Sequence, residues 1–539
     1  MNKAINFFRS NYYLATAVLL FLSFPISSLW FFRSFPFFAW VCLVPLLLYL
    51  RDKSPRQVYF ISLFTGILGF LPAFEWIGNF GATVRGGYFV ILFFLIPTMA
   101  IFFALRIWAA ELLSRRFECL RFLIYPAVWI IIDWIQSIGF LAFPWFYLGY
   151  TQFPLTPLIQ FTSITGVHGL TFIIVLFNYL MTDLLYHEVK SGAGLPGLIR
   201  SRQMLRFCML VVFIAAASAW GHHLIKQHPL TGKSDMRVAM VQSCISPWES
   251  WYSNRFRYLD NLKKHTNEAL KENPDFIIWS ESATLETISY SYARGSLNSF
   301  EKDLLGYIRG IDRPLLTGEV GVIEDSSRIF PRRFPQNNAV LISRSGDVLK
   351  TYAKIHLVPF GEWFPYENLF PLVKDLTVRF GASDFIPGHG PVLFELYGRR
   401  FGVLVCYEGI FYRLSREYRN LGAEFLINIT NDGWTDSYKG HMQHFAASVF
   451  RAVENGTWYL RAGNTGYTAV IDPFGRITGS MPILRKGYVT GDMDFSMNRS
   501  TFYSRYGDVF LYVMLIFTLI LCILYIAGAA GERYGRKQA

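Results

Sequence analysis

Eight apolar stretches constrain this chain more than any other feature. Seven lie before residue 221, near 13–30, 37–50, 58–77, 88–109, 122–138, 158–186 and 207–220; the eighth covers 509–529. A helix that crosses a bilayer needs about 20 predominantly apolar residues. The second and seventh stretches are short for that, and the sixth is long, with its helix expected to begin near Val167. Charge follows the same division. Residues 1–220 hold 15 Lys/Arg and 7 Asp/Glu, whereas 221–507 hold 33 and 29. The expected organisation is a seven-helix transmembrane part over 1–220, a soluble domain over 221–507, and a final transmembrane helix with a tail over 508–539.

Cytoplasmic loops are enriched in Lys and Arg. With the N-terminus inside, the inner segments carry 15 basic residues, among them Arg51, Lys53, Arg115, Arg116 and Arg202, and the short outer loops carry only Arg33 and Arg85. Eight spans with both termini inside are therefore expected, placing 221–507 outside the cytoplasm. The first stretch is too long, and lacks a small-residue cleavage site, to be a removed leader. Of the net charge of +13, only +4 falls in the soluble part, which argues against a nucleic-acid partner. The six cysteines contain no CxxC, and their spacing fits neither a disulfide framework nor a zinc site. Glu75, Asp133, His168 and Asp183 lie in or near the spans. Such groups either mark function or sit solvated near helix ends.

The soluble part alternates strand and helix. Apolar strands are expected at 236–242, 276–279, 314–320, 401–405, 425–429, 458–461 and 467–471, with a hairpin of 339–343 and 348–352 around Arg344-Ser345-Gly346-Asp347. A helix is expected near 255–271. This pattern argues an α/β sheet packed with helices. Three residues stand where strands end: Glu281 after FIIWS, Lys354 after TYA and Cys406 after FGVLV. Ligands gather at the carboxyl ends of strands in open α/β folds. A cysteine nucleophile needs a base and cationic surroundings, and Glu and Lys supply both. A strand turning sharply at Cys406 would expose its sulfur as a nucleophile elbow does. On spacing alone, a cysteine after an apolar strand is more often a core thiol, Glu281 a helix cap and Lys354 a solvated charge.

The surrounding motifs change that balance. WSES (279–282), YAKIHLVPFGEWFP (352–365), CYEG (406–409) and NDGW (431–434) occur in order, and together they resemble the nitrilase superfamily. FPWFYLGYTQ (143–152), GVHGLTFIIVLFN (166–178) and RAGNTGYTAVIDPFG (461–475) narrow the resemblance to the apolipoprotein N-acyltransferase family, over nearly the whole chain. The resemblance implies an eight-helix transmembrane bundle joined to an α-β-β-α sandwich. It implies Cys406 as nucleophile, Glu281 as general base and Lys354 as stabiliser of the tetrahedral intermediate. Glu362 would support them, Tyr407 and Glu408 fill required positions, and Trp251 and Asn338 match residues near the substrate. The family's usual WPET reads WSES here, and its NDAWF reads NDGWT.

The implied reaction moves a fatty acyl chain from a membrane phospholipid, chiefly phosphatidylethanolamine, through a Cys406 thioester to the α-amino group of a diacylglyceryl-cysteine on a lipoprotein. No cofactor or metal is implied, and the protein would be a monomer of a bacterial inner membrane with a periplasmic catalytic domain. Two rival readings are a membrane-tethered amidase acting on a small C–N substrate, and a transporter or receptor with an inactive nitrilase-like sensor. Segment 360–386, rich in Phe, Leu and Trp, is expected to be a lid that dips toward lipid. His441 and His444, three apart, lack an evident third metal ligand, so helix packing or surface exposure is expected for them. Gly318 lacks the GxGxxG spacing of a dinucleotide site.

Overall fold

The computed structural model describes residues 10–23, 36–79, 85–139, 142–191, 194–325, 332–359, 361–363, 384–435 and 437–538. The chain divides into two compact units, one of residues 1–78, 89–224 and 506–539, the other of 79–88 and 225–505.

The first unit is helical. Its helices are α1 (Tyr12–Ser23), α2 (Val44–Leu50), α3 (Pro55–Phe74), α4 (Arg85–Ser114), α5 (Arg121–Gln136), α6 (Thr162–Ser191), α7 (Arg202–Gln227) and α12 (Val509–Gln538). Helix α3 starts on a capping box in which Ser54 and Gln57 exchange side-chain and backbone hydrogen bonds, with Pro55 just inside. Within α6, Gly166 takes φ +65°, so the continuous helix begins at Val167 as the sequence leads one to expect. Among the described residues, five helices are long and apolar enough to cross a membrane: Pro55–Ile77, Phe93–Ser114, Thr162–Glu188, Arg202–Gln227 and Val509–Gly528. The other three stretches form shorter helices. The described part of the first ends at Ser23; the second breaks into a 3-10 turn, Pro36–Trp40, ahead of α2; the fifth reaches 16 residues. At 1.5 Å per residue, 16 residues span about 24 Å, short of a hydrocarbon core of about 30 Å.

Two of the four ionisable groups in or near the spans, Asp133 and Asp183, meet arginines. Asp133 accepts from Arg106 Nε at 2.9 Å and Nη2 at 2.5 Å, and Arg106 Nη2 also reaches Gln136 at 2.7 Å. Asp183 meets Arg51 at 2.6 Å. His168 is buried beside the Tyr147 ring, and Glu75 is exposed.

Among the described residues, the second unit holds twelve strands in two six-stranded sheets. The first sheet has the order β12-β1-β2-β3-β4-β5, from β1 (Met236–Gln242), β2 (Phe276–Trp279), β3 (Leu315–Asp325), β4 (Arg332–Ile342), β5 (Val348–Ala353) and β12 (Gly487–Met493). The second has the order β11-β10-β9-β8-β7-β6, from β6 (Leu393–Leu396), β7 (Arg399–Val405), β8 (Phe425–Thr430), β9 (Trp458–Gly463), β10 (Thr468–Ile471) and β11 (Ile477–Met481). Each sheet has a parallel centre, β1-β2-β3 or β7-β8-β9, flanked by antiparallel strands. Parallel strands are covered on both faces and read as unbroken apolar runs, which is why FIIW and FLINIT were visible in the sequence. Helices α8 (Trp251–Leu270) and α9 (Ser299–Ile311) pack on one sheet, their Leu259, Leu262, Phe300 and Leu304 against Val241, Ile277 and Val340. Helices α10 (Tyr412–Leu421) and α11 (Tyr438–Asn455) pack on the other. The sheets face each other through aromatic contacts such as Phe276 on Phe401, 5.8 Å between centroids. The result is α-β-β-α layering.

Strands β6, β11 and β12 escape sequence reading, and β3 and β4 run longer than expected. The outer half of the β3-β4 hairpin pairs Glu324 with Arg333 and Asp325 with Arg332. Its ladder continues where apolarity has stopped.

Candidate active site

Four strand ends and one loop converge. Glu281 stands two residues past β2, Lys354 one past β5, Cys406 one past β7, Asn431 one past β8, and Glu362 in the loop after β5. Lys354 is fully buried; its Nζ lies 2.8 Å from Glu362 Oε1 and 3.6 Å from Glu281 Oε1. Asn337 Nδ2 donates to Glu281 Oε1 at 2.7 Å and to Glu362 Oε1 at 2.8 Å. The Asn431 amide donates to Glu281 Oε2 at 2.7 Å, and the Val358 amide to Glu362 Oε2 at 2.8 Å. Every carboxylate oxygen of the pair is therefore oriented.

Cys406 has φ +52°. A non-glycine residue in the left-handed region costs about 1–3 kcal/mol and persists only where its surroundings enforce it. Here Glu408 enforces it. Its Oε1 accepts from Tyr352 OH at 2.8 Å, Ile355 N at 2.6 Å and His356 N at 3.1 Å, and its Oε2 accepts from Val405 N at 2.7 Å. Glu408 thus ties the end of β7 to the segment carrying Lys354. Gly409 completes the turn, since a Cβ there would lie 3.1 Å from Asn428 Oδ1 and from Tyr459 OH. Gly318 serves Glu281 similarly: a Cβ would sit 2.6 Å from the Ser282 amide nitrogen.

The electrostatics follow from burial and proximity. Burial pushes the Cys406 thiol up, the Glu281 charge adds to this, and Lys354 opposes both; the thiol rests protonated. Burial raises Glu281 above the ordinary carboxylate range, with Lys354 pulling down and Glu362 pushing up. Burial disfavours the Lys354 charge, but Glu362 and Glu281 outweigh it and hold the ammonium above its usual value. The arrangement offers a protonated nucleophile, a carboxylate with raised proton affinity and a fixed cation, which suits general-base activation of a thiol.

Not every expected residue joins this cluster. Residues alternate along a strand, so Asn337 faces the site and Asn338 the opposite side of β4. Asn338 pairs across the ladder with Glu319, and its side chain stands against Gly321. Asn337 therefore replaces Asn338 as the asparagine of the cluster. Trp251 packs in the apolar layer with Tyr258 and Phe300, and its Nε1 donates to Glu286 at 3.0 Å. Helix formation from Trp251 onward turns this ring into the core. Trp248, half-exposed, instead meets Trp434 edge-on at 5.3 Å. Tyr407 is buried edge-on against Phe411, 5.2 Å between centroids.

Several neighbours were not foreseen. Asp432, Arg461, Asn428 and His444 form a buried network beneath Cys406. Arg461 Nη2 donates to Asp432 Oδ2 at 2.5 Å and Nη1 to Asn428 Oδ1 at 2.7 Å. Burial opposes the Asp432 charge, but Arg461 and His444 hold it well below the usual carboxylate range. Burial and Arg461 lower His444, against the pull of Asp432. His441 Nε2 faces Asp432 O at 2.9 Å and Thr435 O at 2.8 Å. The signal in the sequence was a charged and polar pattern: NDGW directly after one apolar strand, and RAGN at the end of another. The apolar segment expected as a lid falls mostly at 364–383, outside the described residues.

The paired sheets and the cysteine elbow between them define the class. Residues 237–503 match the carbon-nitrogen hydrolase family, a superfamily that works through a cysteine. Residues 16–180 match the apolipoprotein N-acyltransferase N-terminal domain. Apolipoprotein N-acyltransferase of Geobacter metallireducens is 31% identical over 527 residues, covering 96% of this chain and 95% of that one. Apolipoprotein N-acyltransferase 1 of Treponema denticola is 30% identical over 549 residues, covering 97% and 98%. An amidase structure from Nesterenkonia sp. aligns with 49% of this chain and 94% of its own at 20% identity and a TM-score of 0.36. The chain belongs to the apolipoprotein N-acyltransferase family.

Proposed function

We propose that this membrane protein N-acylates lipoproteins by two transfers through Cys406, with phosphatidylethanolamine as the main donor and a diacylglyceryl-cysteine N-terminus as acceptor. The observation that carries this is the oriented Glu281–Lys354–Glu362–Asn337 cluster beside a cysteine at a left-handed elbow. Glu281 takes the thiol proton as Cys406 Sγ attacks the ester carbonyl of the phospholipid. Lys354 and the Tyr407 amide hold the oxyanion; one such donor is typically worth about 10²–10³ in rate. The C–O bond breaks, Glu281 returns the proton to the lyso-phospholipid, and a thioester remains. The acceptor amine then attacks the thioester, Glu281 takes its proton, and the sulfur leaves and recovers a proton as the amide forms. A thioester suits this path because amines attack it far faster than the parent ester.

Both substrates keep acyl chains in the bilayer, and lifting a chain into water costs about 0.8 kcal/mol per CH₂. That cost explains the fusion of a catalytic domain to apolar helices. Our reading extends to eight spans, both termini inside, an inner-membrane location, a periplasmic domain and a monomer. The basic residues of the inner segments support the orientation. The apolar segment 360–386 is expected to act as a lid, and on that reading replacing Trp363, Phe364 and Phe370 with Ser should slow turnover without unfolding the protein. Unchanged activity would remove the lid.

The test uses purified protein in detergent with phospholipid and no peptide. Mass spectrometry should find a fatty acyl adduct on Cys406, labile to neutral hydroxylamine and absent from Cys406→Ala. A diacylglyceryl peptide should discharge it to an N-acyl product. If a folded protein forms no adduct, a membrane-tethered amidase becomes the better reading.

A further inference from the structure

The carbonyl oxygen of Cys406 is held by two side chains. Asn428 Nδ2 donates to it at 3.1 Å while also reaching Leu404 O at 3.1 Å. His444 Nε2 lies 3.2 Å from the same oxygen. A carbonyl only accepts, so Nε2 carries the hydrogen. On the far side of the ring, Nδ1 lies 2.8 Å from Asp432 Oδ1 and 3.2 Å from Arg461 Nη2. Arg461 closes the loop through Asn428 Oδ1. The four side chains come from β8, the turn after it, α11 and β9, and none is more than 8% exposed.

A buried charged cluster is a poor way to gain stability alone, since apolar residues of similar volume often do as well or better. Its geometry has a use at this place. The peptide after Cys406 is planar and trans, so fixing its carbonyl oxygen also fixes the opposite direction of the Tyr407 N–H. It holds the ψ of the strained cysteine as well.

We propose that His444, acting with Asn428, is a positioning residue that clamps the Cys406–Tyr407 peptide, aligning sulfur and oxyanion donor for acyl transfer. This rests on the reading of Cys406 as nucleophile. Both side chains hold the backbone of Cys406, so the effect belongs to the chemical step and not to lipid affinity.

Two polar variants separate the halves of the ring. In His444→Gln the terminal amide can reach the position of Nε2 and restore the donor to Cys406 O. In His444→Asn the shorter amide reaches only the position of Nδ1, keeping Asp432 but losing the elbow. Acylation of Cys406 by phosphatidylethanolamine is followed by quenched-flow mass spectrometry on the full-length protein in detergent, across lipid concentrations, with thermal melting of each variant. We expect His444→Asn to lower the saturating acylation rate about tenfold or more, with the half-saturating lipid concentration changed less than about twofold. His444→Gln should recover most of the rate at a similar melting temperature. If His444→Asn fails to fold, Asn428→Ser, which removes the other donor, should give the same loss of saturating rate. Equal rates for the two His444 variants, or a loss confined to half-saturation, would overturn the clamp. Where His444→Asn does not fold, a wild-type saturating rate in Asn428→Ser would do the same. If wild-type protein forms no thioester, the functional reading fails instead, independently of the clamp.

Discussion

At the scale of single residues, the cluster places proton affinity where the reaction needs it. Glu281 must be ionised to accept the thiol proton, and its proton affinity is raised by burial and by Glu362. The acid limb of the acylation rate should therefore lie above the ordinary glutamate value of about 4.3, with activity rising as pH increases through it. Glu281→Gln should lower the rate about 10²–10⁴-fold and abolish that limb, as a pH profile of single-turnover acylation will reveal. His356 offers a stability test of the same burial. Burial, and then Lys354, lower it to about 4, against an ordinary value of about 6.5. The unfolded chain thus binds a proton first as pH falls. Stability present above about pH 6.5 should be lost toward pH 4, by about 3 kcal/mol at about 1.4 kcal/mol per pH unit. The ring stacks on Phe411 at 4.2 Å, so His356→Phe should keep the packing and flatten the pH dependence of the melting temperature.

At the scale of elements, strand alternation decides which asparagine serves the site. Adjacent residues of β4 point to opposite faces, so Asn337→Ala removes the donor shared by Glu281 and Glu362, while Asn338→Ala leaves both in place. Hydrogen bonds to charged groups are worth about 1.5–3 kcal/mol each. We expect Asn337→Ala to lower kcat/KM by at least about tenfold and Asn338→Ala by far less, measured side by side in the transfer assay. Equal losses would mean that the site reads β4 in another register. Resemblance named Asn338 and the structure brings Asn337 to the cluster, because the resemblance of NNAV carries no information about which side faces in. The same limit applies to Trp251, whose direction is set by the helix it begins. By contrast, Glu281, Lys354, Glu362 and Cys406 were legible, since each follows an apolar strand or sits in a compact motif whose ends are fixed by short connections.

At the scale of the molecule, a charge asymmetry in the loops argues an orientation that helix lengths alone leave open. Five described helices are long enough to cross, while α1, α2 and α5 are shorter. Cysteines introduced near Lys53, Arg116 and Arg200 in a cysteine-free background should be shielded from a membrane-impermeant thiol reagent in intact cells. Cysteines near Arg33 and Arg85 should be labelled. Labelling of the first group would invert the topology or change the number of spans.

Pattern was enough to place the central parallel strands and to find a cysteine, glutamate and lysine at strand ends. Burial on both faces of a strand, or along a spanning helix, is written as an apolar run, and such runs are local. The edge strands β6, β11 and β12, the choice of Asn337 and the network of His444, Asp432, Arg461 and Asn428 came only with the tertiary structure. Their partners are remote in sequence: β12 pairs with β1, and His444 reaches Cys406 across 38 residues. A hydrogen bond between distant polar groups leaves no periodicity in either segment. Only folding brings its two ends together.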